Sequence, residues 1–182
     1  MPTALIPVAD GSEDIETVTL IDVLRRAEVE VTVASVTGKP GIVASRGTRL
    51  EADALIEDLV TEDFDLIVLP GGMPGAETLG SNDILIEKLQ AQKTAGRLYG
   101  AICAAPAVAL AANGLLDGIA ATGHPAFTDN LPDQTRIEQR VVRDGQCITS
   151  RGPGTALEFS LALVEALCGK TKRDAVAAPM VV

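Results

Sequence analysis

Apolar residues in this chain fall into short unbroken runs, separated by segments where they recur every three or four positions. That alternation is expected of buried strands and amphipathic helices. Thr3–Ala9, Val29–Val36, Asp65–Leu69 and Arg97–Ile102 read as strands. A helix is predicted from about Glu13 to Ala27 with Ser12 as its N-cap, and another from a cap at Ser81 or Asn82 to about Ala95. The Ala-rich segment Ala104–Ala112 reads as a helix that Gly114 ends. Residues 37–60 read as loops with minor strands and residues 118–136 as loop. Arg136–Arg143 and Gln146–Ser150 look like a hairpin around Asp144-Gly145. Thr155 opens a helix to about Leu167, with Glu158 completing a capping box and Gly169 closing it. Alternating strands and helices predict a mostly parallel sheet covered on both faces, a doubly wound α/β sandwich in a single domain over 1–182.

Composition narrows this picture. Hydrophobic residues are 47 % of the chain but aromatics only 2 %, so the core must be Ala, Val, Leu and Ile. Fifteen Lys and Arg against 25 Asp and Glu leave a net charge of −10, which repels phosphate backbones and argues against direct nucleic-acid binding. The three cysteines, Cys103, Cys147 and Cys168, show neither CxxC nor metal-ligand spacing; such a sparse, odd set suits a reducing compartment. The N-terminal residues MPTALIPVADGSED lack the basic start of a secretory signal. No apolar stretch approaches the roughly 20 residues of a membrane span. The expectation is a cytoplasmic protein without membrane contact and without a metal.

In doubly wound folds ligands bind beyond the carboxyl ends of the strands. Three such ends carry chemistry. The first strand leads to Glu16, the third ends at Pro70-Gly71-Gly72, and the fourth ends at Cys103. Cys103 is flanked by Ala101 and Ala105, the small neighbours that a sharp strand-to-helix elbow requires. A helix N-terminus there favours a thiolate and a lowered pKa, whereas a buried structural cysteine is the plainer alternative. Glu16 lines up with Leu20, Val23 and Ala27 on one face. It is either a desolvated carboxylic acid facing the cysteine or a first-turn glutamate that merely favours the helix dipole. Amides at Gly71-Gly72 and Ala104 could form an oxyanion hole, or the glycines could be an ordinary turn. His124, the only histidine, is a candidate partner of the cysteine or a loop residue with its own hydrogen bond. Cys147 and Cys168 read as structural.

The segments Gly11–Thr17, Val68–Gly72, Ala101–Pro106 and Ser150–Thr155 resemble those of the ThiJ/PfpI superfamily, and more closely its parkinsonism-associated branch of small cysteine proteins. The resemblance runs through nearly the whole chain in order. It implies a flavodoxin-like sandwich that forms a homodimer, Cys103 as nucleophile, Glu16 as its protonated partner, and the Gly72 and Ala104 amides as oxyanion donors. It implies a nearby histidine at His124, and Gly71, Arg46, Gly152 and Pro153 at the rim where substrate binds. Proteins of this kind are described as cofactor-free glyoxalases, protein deglycases, oxidative-stress sensors and holdase chaperones, so the implied partners are small reactive carbonyls or glycated groups. Ala104, not histidine, follows the cysteine, and His124 is followed by Pro125 and Ala126 rather than an x-Glu pair. Peptidase and amidotransferase readings therefore lose their base.

Overall fold

The computed structural model describes residues 1–182. In chain order the strands are β1 (Thr3–Val8), β2 (Glu30–Ser35), β3 (Gly41–Val43), β4 (Arg49–Glu51), β5 (Ala54–Leu55), β6 (Leu66–Leu69), β7 (Leu98–Ile102), β8 (Val141–Asp144) and β9 (Cys147–Ser150). The α-helices are α1 (Asp14–Arg26), α2 (Gly75–Gly80), α3 (Asp83–Thr94), α4 (Ala156–Cys168) and α5 (Lys170–Ala177). Seven strands form one sheet in the order β5-β2-β1-β6-β7-β9-β8, parallel except for β8, which runs antiparallel to β9. β3 and β4 make a separate small hairpin.

Side chains alternate along each strand, so the sheet feeds two cores of similar size, of 26 and 24 buried residues. Ile67, Leu69 and Tyr99 face one core with Leu79 of α2 and Leu85 and Leu89 of α3. Leu66, Val68 and Ile102 face the other with Leu20 and Val23 of α1 and Phe159 and Leu163 of α4. Neither core dominates, which is the balance expected when both faces of a parallel sheet are covered. Each buried Leu- or Phe-sized side chain contributes about 1.5–3 kcal/mol through surface removed from water. The few aromatics go where volume is needed, with Tyr99, Phe159 and Phe64 all buried.

The structure departs from the sequence expectations at several caps and ends. Glu13, not Ser12, caps α1, its carboxylate accepting the Glu16 N–H at 2.8 Å. Ser12 is fully buried and its hydroxyl accepts the Ala9 N–H instead. Thr155 forms no capping box with Glu158: its hydroxyl turns back toward residues 150–152, and Glu158 pairs with Arg140. The predicted helix after Cys103 is a π turn, Pro106–Leu110, followed by a 3₁₀ turn. Asn113 donates its side-chain amide to the Ala109 carbonyl at 2.8 Å, which takes an acceptor an α-helix would need. The strand expected over Arg136–Arg143 shortens to β8, and α5 lies beyond the last predicted element.

Candidate active site

β1, β6 and β7 are adjacent, so their carboxyl ends open onto one edge of the sheet. Cys103 follows β7 at φ 66°, a left-handed conformation that costs a non-glycine residue about 1–2 kcal/mol. Its own backbone is held at both ends. Its N–H donates to the Ser150 carbonyl at 3.1 Å, and its carbonyl accepts the His124 N–H at 2.7 Å. The side chain is nearly covered, at 8 % exposure.

Gly71 permits the approach between the neighbouring groups. A Cβ there would sit 2.5 Å from Cys103 Cβ and 2.9 Å from Glu16 Oε2, so any larger residue would wedge the two apart. Its N–H donates to Glu16 Oε2 at 2.8 Å. Gly72 adopts φ 86° against the Gly11 carbonyl, and its amide and that of Ala104 both point to the Cys103 sulfur.

Glu16 is fully buried. Its Oε1 has no N–H or O–H partner, and the remaining polar neighbour of the carboxyl is the Cys103 thiol. Burial pushes the carboxyl up to about 7, against the pull of the Gly71 amide and the thiol. Burial also pushes the Cys103 thiol up, and the charge of Glu16 adds to it, reaching about 12 despite the Gly72 and Ala104 amides. The lowered thiol pKa expected from the sequence is thus reversed, first by burial and then by the charge of Glu16. The segment after the elbow is a five-residue π turn, too short to supply a long helix dipole. Two negative charges so close in a buried site are disfavoured, so ionising either group holds the proton on the other. In the form with the proton on Glu16, the sulfur has three donors and no repelling charge.

The other predicted residues divide. Gly152 lies against the His124 ring, where a Cβ would be 3.7 Å from Cδ2, and half-buried Pro153 opens the turn that follows. The structure ties His124 to Cys103 through backbone. The ring's one hydrogen bond is from the Ala126 N–H to Nδ1 at 3.2 Å, which leaves Nε2 to carry the proton of the neutral ring. Arg46 is exposed, on the β3–β4 connection; its backbone N–H is bound by Asp14 and its guanidinium forms no ion pair. Two contributors escaped the sequence reading. Ser150 supplies the carbonyl on the elbow, and Asp14 fastens the hairpin. The Ser150–Thr155 segment carried a signal, but a backbone carbonyl leaves no mark of its own. Cys147 is buried and Cys168 half-buried, both with thiol pKa values raised by burial.

The DJ-1/PfpI family profile matches residues 2–166. Protein DJ-1 homolog B of Arabidopsis thaliana is 49 % identical over 171 residues, covering 94 % of this chain and 39 % of that protein. The chain spans 39 % and 44 % of the two Arabidopsis relatives' lengths. A protein named glutathione-independent glyoxalase DJR-1.2, of Caenorhabditis elegans, is 35 % identical over 178 residues, covering 97 % and 93 %. The structure described as Toxoplasma gondii DJ-1, oxidized, superposes with a TM-score of 0.97 at 44 % identity, covering 100 % and 98 %. No helix of the chain is long and apolar enough to cross a membrane.

Proposed function

The chain belongs to the DJ-1/PfpI family, and from that premise we propose that it is a cysteine-dependent, cofactor-free glyoxalase and deglycase acting on α-dicarbonyls and their early adducts. One observation carries the reading: a cysteine held at a strained elbow is hydrogen-bonded to a buried carboxyl group whose pKa lies near 7.

With the proton on Glu16, the Cys103 sulfur attacks the aldehyde carbon of methylglyoxal. A C–S bond forms, and the carbonyl electron pair becomes an alkoxide that takes the proton of Glu16. The amides of Gly72 and Ala104 steady the developing charge. Glu16, now a carboxylate, removes the proton from the former aldehyde carbon and returns it to the neighbouring carbon, while the hydroxyl proton of the first carbon passes to the oxygen of the second. The first carbon is thereby oxidised and the second reduced, with no outside electron acceptor. Water then hydrolyses the resulting thioester, releasing lactate and restoring the thiol. In deglycation the hydroxyl of a hemithioacetal or aminocarbinol adduct gives up its proton to the departing thiol or amine as the C–S or C–N bond breaks, and Cys103 adds to the aldehyde so freed. His124, Arg46, Gly152 and Pro153 form the rim that receives the substrate. Lactate formation from methylglyoxal tests this: wild type should produce it, Cys103→Ala should fall to background, and equal rates in the two would refute the reading.

The same thiol supports a second reading, as a redox sensor. Oxidised by peroxide to sulfinate, the Cys103 sulfur would accept a hydrogen bond from protonated Glu16, which favours arrest at that level. Mass spectrometry after mild peroxide should place the oxygens on Cys103 before Cys147 or Cys168. A homodimer is part of the proposal. Ile15 and Val18 on the outer face of α1 are 56 % and 45 % exposed, and Val43 of the hairpin beside them is 46 % exposed, an apolar group suited to a second copy.

A further inference from the structure

The conformation of Cys103 needs an explanation beyond the residues that touch its sulfur. A left-handed cysteine persists only where its surroundings over-determine it. Its N–H depends on one acceptor, the Ser150 carbonyl, and Ser150 pairs with Ile102 at the last rung between β7 and β9. Past that rung the chain leaves the sheet, and a different set of bonds must hold it.

Those bonds converge on one buried hydroxyl. Thr155 Oγ1 lies 2.6 Å from Ser150 Oγ and accepts the N–H groups of Arg151 at 3.2 Å and Gly152 at 3.1 Å. Ser150 Oγ–H donates to the Arg140 carbonyl at 2.7 Å. With the Ser150 proton committed to Arg140, Thr155 is the donor across the 2.6 Å contact, and the Gly152 carbonyl, 3.0 Å from Oγ1, is its alternative acceptor. Ser150 is wholly buried and Thr155 is 6 % exposed. The turn they close places Gly152 against His124, whose N–H holds the Cys103 carbonyl. Both backbone bonds of the strained elbow thus return to the same 150–155 turn.

We propose that the Ser150–Thr155 hydroxyl pair is a positioning device that holds Cys103 in its reactive left-handed conformation, Thr155 being the residue on which it turns. Thr155 touches neither sulfur nor substrate. It fixes the Ser150 peptide, the Ser150 carbonyl fixes the Cys103 N–H, and the elbow keeps the sulfur facing the Gly72 and Ala104 amides and Glu16. Without the hydroxyl, the Arg151 and Gly152 amides lose their acceptor, the turn shifts, and the sulfur loses its donors. The inference rests on the reading of Cys103 as the reactive residue.

The test follows the rate of Cys103 alkylation by iodoacetamide across pH, read by mass spectrometry, with partly exposed Cys168 as reference. In Thr155→Val, which keeps the shape but removes the hydroxyl, the Cys103 rate at neutral pH should fall about tenfold, the change that one unit of rise in thiol pKa produces. The pH midpoint should move upward, Cys168 should react as before, and Thr155→Ser should restore the profile. In methylglyoxal turnover kcat should fall more than KM rises. A folded Thr155→Val with the wild-type rate and midpoint would overturn the inference, as would a Thr155→Ser as slow as Thr155→Val. If Thr155→Val does not fold, Ser150→Ala is read instead: a slowed profile supports the device and an unchanged one overturns it. A wild-type Cys103 that reacts no faster than Cys168 would instead sink the parent reading, and this one with it.

Discussion

Glu16 has no exposed surface and only an amide and a thiol for polar company. Its apolar row with Leu20, Val23 and Ala27 is visible in the sequence, and burial alone suffices to move its pKa upward. The thiol is different. The sequence reading anticipated a low pKa from a helix terminus, and burial together with the charge of Glu16 reverses the sign, because desolvation depends on what packs around the sulfur. A consequence for stability follows. A carboxyl raised from 4.5 to about 7 on folding contributes its stability fully below 4.5, and that contribution is lost as pH rises through 7. The difference amounts to about 3 kcal/mol. Glu16→Gln should therefore gain stability over wild type at pH above 7, by up to that amount, and show little difference below the unfolded carboxyl pKa. Urea unfolding in acid and mildly alkaline buffer measures it. In a parallel Cys103 alkylation profile the rise of the variant should move to lower pH, because the charge of Glu16 no longer opposes the thiolate.

At the level of the helix and the hairpin, α1 is anchored from its first turn. Asp14 stands in the first turn, where a carboxylate favours the helix dipole. It also accepts the Arg46 N–H at 2.7 Å, the Thr48 N–H at 3.1 Å and the Ser45 hydroxyl at 3.2 Å. Desolvation raises its pKa, but the donors from Thr48, Arg46 and Ser45 outweigh it and bring it to about 2. Ser45 N–H to the Ser12 carbonyl and Gly11 N–H to the Val43 carbonyl complete the seam that sets the β3–β4 hairpin beside the site. Asp14→Ala should cost about 1–2 kcal/mol, the lower part of the range for hydrogen bonds to a charged group because the seam is partly solvated. It should also speed hydrogen exchange at the Arg46 and Thr48 amides while leaving the Cys103 amide protected. In wild type this contribution is present above 3.8 and is lost as pH falls toward 2. No local pattern marks such a seam, since its partners lie more than thirty residues apart.

Across the whole molecule, the sheet decides where the chemistry meets. The four aliphatic runs identified from periodicity correspond to β1, β2, β6 and β7, and the adjacency of β1, β6 and β7 puts Glu16, Gly71 and Cys103 together. One surface hollow, of about 560 Å³, is lined by Leu157, Leu161, Ala177 and Val182 rather than by the thiol. A second copy seated on Ile15, Val18 and Val43 would adjoin the Arg46 rim, which the same hairpin carries. Light scattering should accordingly give the mass of two chains for wild type and of one for Val18→Asp, since a charge placed in an apolar contact must be desolvated to reform it. A monomeric wild type would remove the dimer from the proposal.

The central strands, helices α1, α3 and α4 and the doubly wound class were legible along the chain, because hydrophobic period, glycine placement and small neighbours are local properties. Folding in three dimensions settled which of Ser12 and Glu13 caps α1, that the segment after Cys103 is a π turn, and which partner Thr155 chooses. It also settled the direction in which the thiol titrates. Each of these depends on competition among groups distant in sequence for one acceptor, one donor or one layer of water, and a linear pattern does not contain the outcome of that competition.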